Sequence, residues 1–237
     1  MRRNPFRARN ISPGCLPYVF PLGHDTDQLL QRFRENKFRG QIVGPHGSGK
    51  STLLVHLKNA LENLGHDVQV AWLEPASSGG RGAAKKRLRQ VEQAVEQRMA
   101  KRTSAETDRD TRPVIAVDGL EILPWLERKR FFRLARQNEC GILATAHQDL
   151  GLPTLWETQV DLERAEKVIA ELFRLDAIRN DADVASEDET NHGTASQTEK
   201  SSIPVVPAEL IADLLSRHDG DMREVLFSLY DWFQDRT

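Results

Sequence analysis

The chain has 237 residues, which is enough for one large domain or for a core with a small second domain. Its formal net charge of -2 excludes a strong overall attraction to nucleic acid, and no apolar run approaches the roughly 20 residues that span a bilayer. The two cysteines are too few for a disulfide framework, and the arginine-rich N-terminus lacks the apolar segment of a secretory signal. We therefore expect a cytoplasmic protein with reduced thiols.

The N-terminal segment, residues 1–24, is interrupted throughout by residues that break helices, which predicts an extended arm. Directly after it, Leu29, Leu30 and Phe33 recur at helical spacing. This spacing predicts a first helix from about residue 25 to about residue 36. The helix breakers of the arm are Pro5, Pro13, Gly14, Pro17, Pro21 and Gly23.

Short apolar runs alternate with helical patterns over the middle of the chain. Residues 114–117 (VIAV), for example, form a continuous apolar run that is typical of a strand buried on both faces. Strands that alternate with helices predict an α/β fold, in which crossover helices join the strands of a parallel sheet. The predicted strands are residues 41–43, 68–73, 114–117, 141–146 and 154–156, and the helices are 49–64, 83–101, 125–137 and 161–175.

Residues 181–202 break this alternation because they are rich in Ser, Thr, Asp and Glu. Such a segment buries too little apolar surface to offset its ordering entropy, which predicts a flexible acidic linker. Two helices follow, and Asp221 with Glu224 is a capping-box pair at the start of the second. We therefore predict an arm (1–24), a core (25–180), the linker (181–202) and a helical lid (203–237).

Residues 44–51 read GPHGSGKS and fit the pattern G-x-x-x-x-G-K-[ST], whose glycines let successive backbone N–H groups face a phosphate. The following helix adds the positive end of its dipole. Lys50 would reach the β- and γ-phosphates and the Ser51 hydroxyl would ligate Mg²⁺, whereas His46 stands at a variable position and is expected to face solvent. The candidate nucleotide-binding residues are Gly44, Pro45, His46, Gly47, Ser48, Gly49, Lys50, Ser51 and Thr52.

An acidic partner for this loop follows the buried strand at residues 114–117. Asp118 ends that strand at the carboxyl edge of the predicted sheet, where ligands bind in α/β folds. There it would hold Mg²⁺ through a water, opposite Ser51. The alternative is that Asp118 only caps the turn that Gly119 begins, but no other strand-end acid is as well placed.

The residue that activates water is less clear from the sequence. Gly119 occupies the position after Asp118 where many related enzymes carry a glutamate. Glu121 is the nearest carboxylate, and it either turns back toward the site or caps the helix that begins near Pro124. Thr145 and His147, at the end of the strand 141–146, are candidates for sensing the γ-phosphate or orienting water.

Together these motifs resemble the AAA+ branch of P-loop NTPases, in particular the small ATPases of replication initiation, secretion and transposition. The matching motifs are GPHGSGKST as Walker A, VIAVDGLE as Walker B and GILATAH as the sensor-1 strand. Residues 218–224 (HDGDMRE) are similar to the sensor-2 motif, so the resemblance implies that Arg223 reaches the γ-phosphate. It further implies a parallel-sheet core with a helical lid, ATP and Mg²⁺ as ligands, and a homo-oligomer.

The resemblance leaves two roles unassigned. Gly119 departs from the usual glutamate, and the D-G-x-E arrangement is also similar to that of signal-transduction NTPases. Arg128, Arg130 and Arg133 on one predicted helix are candidates for an arginine finger, with ordinary surface charges as the alternative.

Other classes of nucleotide-binding protein fit the sequence less well. Ser77-Ser78-Gly79-Gly80 lies too far from Asp118 to be the signature of an ABC ATPase, and residues 146–149 (AHQD) lack the Asn-Lys pair of a GTPase. A small-molecule or nucleotide kinase remains an alternative, because a kinase must avoid activating water. A nucleotide-gated switch with little turnover is the other alternative, with a protein partner or with DNA held by the basic arm and the 83–102 helix.

Overall fold

A computed structural model describes residues 4–73, 81–101, 112–187 and 205–236. Its helices are α1 (Ala8–Ile11), α2 (Thr26–Glu35), α3 (Lys50–Asn63), α4 (Arg81–Lys101), α5 (Trp125–Gln137), α6 (Leu162–Glu187), α7 (Ala208–Arg217) and α8 (Met222–Gln234). The chain divides into two compact units, one formed by Met1–Val19 with Val160–Thr237 and the other by Phe20–Gln159.

The second unit is built on one parallel sheet, as the alternating sequence pattern predicts. Its strands are β1 (Arg39–Val43), β2 (Val68–Trp72), β3 (Val114–Asp118), β4 (Gly141–Ala146) and β5 (Thr154–Glu157). They pair in the order β2-β3-β4-β1-β5, and every pair is parallel. Because β4 lies between β1 and β3, residues that follow β4 stand between the glycine loop and the end of β3.

Apolar side chains cover both faces of the central strands. Every residue of β4 is buried, and Ile115 and Val117 of β3 are fully buried against α4 and α5. The predicted boundaries of α5 match the structure. Pro124 is its N-cap, and proline is favoured at the start of a helix because it has no N–H to leave unpaired there. The α/β prediction is therefore confirmed, with the carboxyl ends of all five strands at one edge.

The first unit contains α1, α6, α7 and α8, and its core includes the N-terminal segment. The Phe6 ring is fully buried and meets the rings of Phe173 and Phe233 edge-on, with centroids 5.5 and 6.1 Å apart. The Asn4 amide donates to the Tyr230 carbonyl at 2.9 Å. The arm predicted as extended thus includes a short helix, and residues 4–19 belong to the same compact unit as the C-terminal helices.

Helix α6 is longer than the sequence pattern predicted, and it belongs to the first unit instead of the core. Asp161 caps its N-terminus by accepting from the Arg164 N–H at 2.7 Å, and the helical sequence contains neither glycine nor proline. Residues 181–187, predicted as linker, are therefore helical, and the rest of that predicted linker lies outside the described residues. No described helix is both long and apolar enough to cross a membrane.

Candidate functional site

The glycine loop joins β1 to α3 at the carboxyl edge of the sheet. Gly47 and Gly49 adopt φ values of 63° and 88°, a left-handed conformation that glycine reaches without a steric penalty. Gly49 is the N-cap of α3, so Lys50 and Ser51 are the first two residues of the helix. Thr52 follows in the same turn and is half-buried. A phosphate in the loop would therefore lie at the positive end of the helix dipole.

One side of the glycine loop is held by the residue that follows β5. The Thr158 hydroxyl lies 2.6 Å from the Ser48 hydroxyl, which also donates to the Pro45 carbonyl at 2.8 Å. Thr158 itself is anchored by its N–H, which donates to the Val43 carbonyl at 2.7 Å. A side chain at Gly44 would overlap the Thr158 hydroxyl. Sequence reasoning missed Thr158, because only the parallel pairing of β5 with β1 brings it to the loop.

Ser51 and Asp118 lie together as the sequence predicted. The Ser51 hydroxyl is 2.9 and 3.0 Å from the two carboxylate oxygens of Asp118. The Thr145 hydroxyl donates to Asp118 Oδ1 at 2.7 Å and accepts from the Gly119 N–H at 2.9 Å. Thr145, which is 1% exposed, thus acts on Asp118 and fixes the direction of its carboxylate.

The Lys50 side chain curls over the inner side of the loop. Its ammonium donates to the carbonyls of Gly44 and Pro45 and lies 3.3 Å from His147 Nδ1. A phosphate in the loop would replace neutral carbonyl acceptors with charged oxygens, which form stronger hydrogen bonds with an ammonium. The position of Lys50 therefore suits a side chain that closes on a bound phosphate.

His147 connects Lys50 to a carboxylate. Its Nε2 lies 3.4 Å from Glu121 Oε1, and its ring lies over that of His46 with centroids 3.8 Å apart. Burial lowers the pKa of His147, and the nearby charge of Lys50 lowers it further, against the opposing effect of Glu121. The neutral imidazole is therefore favoured. His46 is exposed, as expected, but its stacking on His147 was not foreseen.

The structure favours one of the two predicted positions of Glu121. A short 3-10 helix, Leu120–Ile122, follows the left-handed Gly119 and turns the Glu121 side chain back toward His147. Helix α5 has Pro124 at its N-cap and shows no side-chain cap within the described part of the chain. Glu121 Oε2 is buried and makes no hydrogen bond to any described residue.

The predicted arginines lie apart from this cluster or in the other unit. Arg223 is exposed in the first turn of α8 in the first unit, with its guanidinium 5.7 Å from the centre of the Phe227 ring. In the second unit, Arg130 pairs with Glu92 of α4 at 2.9 Å, Arg133 is exposed and Arg128 is half-buried. The roles implied for them by resemblance stay predictions.

Comparison with known proteins adds little to these observations. No family model matches the chain, and no curated protein matches it. A solved structure of C. elegans PCH-2 is similar over 63% of this chain and 46% of that protein, with 16% identity and a TM-score of 0.39. The chain thus corresponds to less than half of that protein, and a likeness this distant carries no argument about function. The parallel sheet, the glycine loop and the Ser51–Asp118 pair show that the second unit has the fold of a P-loop NTPase core.

Proposed function

We propose that the second unit binds Mg-ATP and hydrolyses it in the manner of an AAA+-type ATPase. The observation that carries the proposal is the contact of the Ser51 hydroxyl with both oxygens of Asp118 beside the glycine loop. Hydroxyl and carboxylate oxygens are ligands that Mg²⁺ prefers, and Mg²⁺ usually takes only one or two ligands from the protein. Ser51 and Asp118 would therefore hold this cation, which would neutralise the charge of a bound phosphate.

The surrounding residues have separate tasks in this proposal. The glycine loop and the first turn of α3 hold the phosphates through backbone N–H groups, and Lys50 binds the oxygens of the outer phosphates. Thr145 and the Gly119 N–H keep the Asp118 carboxylate directed at Ser51. The contact of the Thr158 hydroxyl with Ser48 holds the glycine loop in place.

Position 119 carries a glycine where a glutamate would activate water, and Glu121 and His147 together take over this task in the proposal. His147 Nδ1 lies 3.3 Å from the Lys50 ammonium, from which it can accept, and 3.2 Å from the Gly44 carbonyl, to which it can donate, while Nε2 faces the Glu121 carboxylate. This arrangement places a neutral imidazole and a carboxylate beside the Lys50 ammonium. We assign to the pair the positioning and deprotonation of the attacking water.

Hydrolysis is tested by phosphate release from Mg-ATP by the wild-type chain and by Glu121→Gln. We expect Glu121→Gln to lower kcat about 100-fold with little change in ATP affinity, because general-base catalysis contributes at least this much. Unchanged turnover in Glu121→Gln would remove Glu121 from the mechanism.

The alternatives give different products in the same assay. A nucleotide-gated switch, which Gly119 favours, would bind Mg-ATP tightly and release no phosphate under any condition. A kinase would release ADP without phosphate once an acceptor is supplied. Gel filtration with and without ATP tests the homo-oligomer that the AAA+ resemblance implies.

A further inference from the structure

The exposed face of α5 carries positive charge without any acid. The helix contains five Lys or Arg residues and one Glu, in a chain whose net charge is -2. Glu127, the one acid, is half-buried, whereas the charged residues on the exposed face are all basic. They are Lys129, Arg130, Arg133 and Arg136.

On other helices of this chain, surface cations pair with acids on the same helix. Lys58 on α3 pairs with Glu62 at 2.6 Å, and Arg217 on α7 pairs with Asp213 at 2.6 Å, each one helical turn apart. Such pairs are the usual arrangement on a solvated helix. On α5 the spacing from Lys129 to Arg133 would suit the same pairing, but both residues are basic. Arg130 pairs with Glu92 of α4 at 2.9 Å, so the positive charge of this face that α5 does not compensate lies on Lys129, Arg133 and Arg136.

Aromatic surface lies at one end of this basic face. The Trp125 side chain is 57% exposed, and the Lys129 ammonium lies 3.9 Å from the centre of its ring. Residues 125, 129, 133 and 136 recur at helical spacing and thus follow one side of α5. An aromatic ring at the end of a row of cations matches the combination by which proteins hold single-stranded nucleic acid, with cations on phosphates and a ring on a base.

We infer that the exposed face of α5 binds single-stranded nucleic acid. Lys129, Arg133 and Arg136 are about 4.5 to 6 Å apart along the axis by helix geometry, so they can contact successive phosphates of an extended strand. Because Arg130 is paired with Glu92 of α4, the phosphate contacts are assigned to Lys129, Arg133 and Arg136. The duplex hides its base faces, so Trp125 gives preference to a single strand. This inference is independent of whether the phosphate loop hydrolyses ATP.

The test measures the anisotropy of a fluorescein-labelled oligothymidine of about 20 nucleotides, which is longer than the usual footprint of one single-strand-binding surface. Contact of Lys129, Arg133 and Arg136 with phosphates predicts that affinity falls about 20-fold between about 50 and about 200 mM salt. Arg133→Gln combined with Arg136→Gln should reduce that fall to about threefold. Trp125→Ala should weaken binding about tenfold at either salt concentration, because base stacking is lost.

A double variant of α6 is the matched control. Lys167→Gln with Arg174→Gln removes the same charge from a half-buried and an exposed cation, which are already paired with Glu163 and Glu171. It should leave oligothymidine binding unchanged. Equal losses in the two double variants would overturn the inference, because the effect would then follow net charge alone.

Two further probes separate the nucleic acid from other partners. A duplex of the same length should bind more weakly than the single strand and should not respond to Trp125→Ala. Polyglutamate, a polyanion without bases, should also be insensitive to Trp125→Ala. Absence of oligothymidine binding at low salt, or equal Trp125→Ala effects on oligothymidine and polyglutamate, would overturn the assignment.

Discussion

At the scale of single residues, His147 is the group whose state depends most on its neighbours. Lys50, Glu121 and His46 all face its imidazole, and burial together with the Lys50 charge lowers its pKa. Protonation of both ring nitrogens would place a positive charge on the imidazole, with its Nδ1 3.3 Å from the Lys50 ammonium. The neutral ring is therefore the form compatible with a closed phosphate site.

This environment predicts the pH dependence of turnover. Because the pKa of His147 lies below the ordinary histidine value of 6.5, turnover should be at its plateau above that pH and fall as the ring gains a proton at lower pH. The acidic limb should disappear in His147→Gln, measured as kcat against pH at saturating Mg-ATP. His24→Gln, which removes an exposed histidine, should keep the limb. Persistence of an identical limb in His147→Gln would contradict the role of His147.

The sequence predicted some of these residues and left others open, for a physical reason. Lys50, Ser51 and Asp118 belong to motifs whose roles follow from local backbone geometry, a glycine loop and a strand end. The orientation of Glu121 depends on how Gly119 turns the chain, and a left-handed glycine allows more than one exit direction. Only the coordinates show that the carboxylate faces His147.

At the scale of structural elements, β5 supports the glycine loop through Thr158. Thr158→Val keeps the shape of the side chain but removes the hydroxyl that contacts Ser48. We expect a loss of about 1 kcal/mol in unfolding free energy, the usual net value of one hydrogen bond. ATP affinity should also fall several-fold because the loop loses a fixed contact. Urea denaturation and calorimetric titration with Mg-ATP measure the two effects.

The control for this change is a threonine of β5 itself. Thr154 also uses its hydroxyl, as an acceptor for the Gln41 amide at 3.1 Å, but it stands at the beginning of β5. Thr154→Val should leave ATP affinity unchanged. A Thr158→Val chain with wild-type ATP affinity would show that β5 does not support the loop.

Most elements of the sheet could be predicted from the sequence, because buried parallel strands are short apolar runs between helices. Residues 141–146 were predicted as a strand and form β4. The end of α6 was predicted twelve residues too early, because polar composition was read as disorder although nothing in 176–187 breaks a helix. The side-by-side order of strands in the sheet depends on contacts between distant parts of the sequence. No local pattern therefore shows that Thr158, which follows β5, lies beside the glycine loop.

At the scale of the whole molecule, the N-terminal segment is part of the core of the first unit. The predicted division into arm, core, linker and lid follows composition along the chain, which does not report which segments pack together. The buried Phe6 ring, between Phe173 of α6 and Phe233 of α8, joins three distant parts of the sequence. This contact explains why residues 4–19 group with the C-terminal helices.

Removal of that ring should weaken the first unit selectively. Phe6→Ala should cost about 3 to 5 kcal/mol of unfolding free energy, as expected for a fully buried phenylalanine. The control Val205→Ala changes a residue that is 84% exposed and should alter stability by no more than about 0.5 kcal/mol. Thermal denaturation followed by circular dichroism measures both. A Phe6→Ala loss as small as that of the control would contradict the packing described here.

The central claim is that the glycine loop of the second unit binds Mg-ATP through Lys50. Calorimetric titration with Mg-ATP tests it, with Lys50→Ala compared against Lys58→Ala, which removes a half-buried lysine, paired with Glu62, from the same helix. Loss of hydrogen bonds to charged phosphate oxygens should weaken binding by Lys50→Ala about 10- to 100-fold, whereas Lys58→Ala should bind like the wild type. Equal affinity of Lys50→Ala and the wild-type chain for Mg-ATP, or no binding by the wild type, would contradict the account.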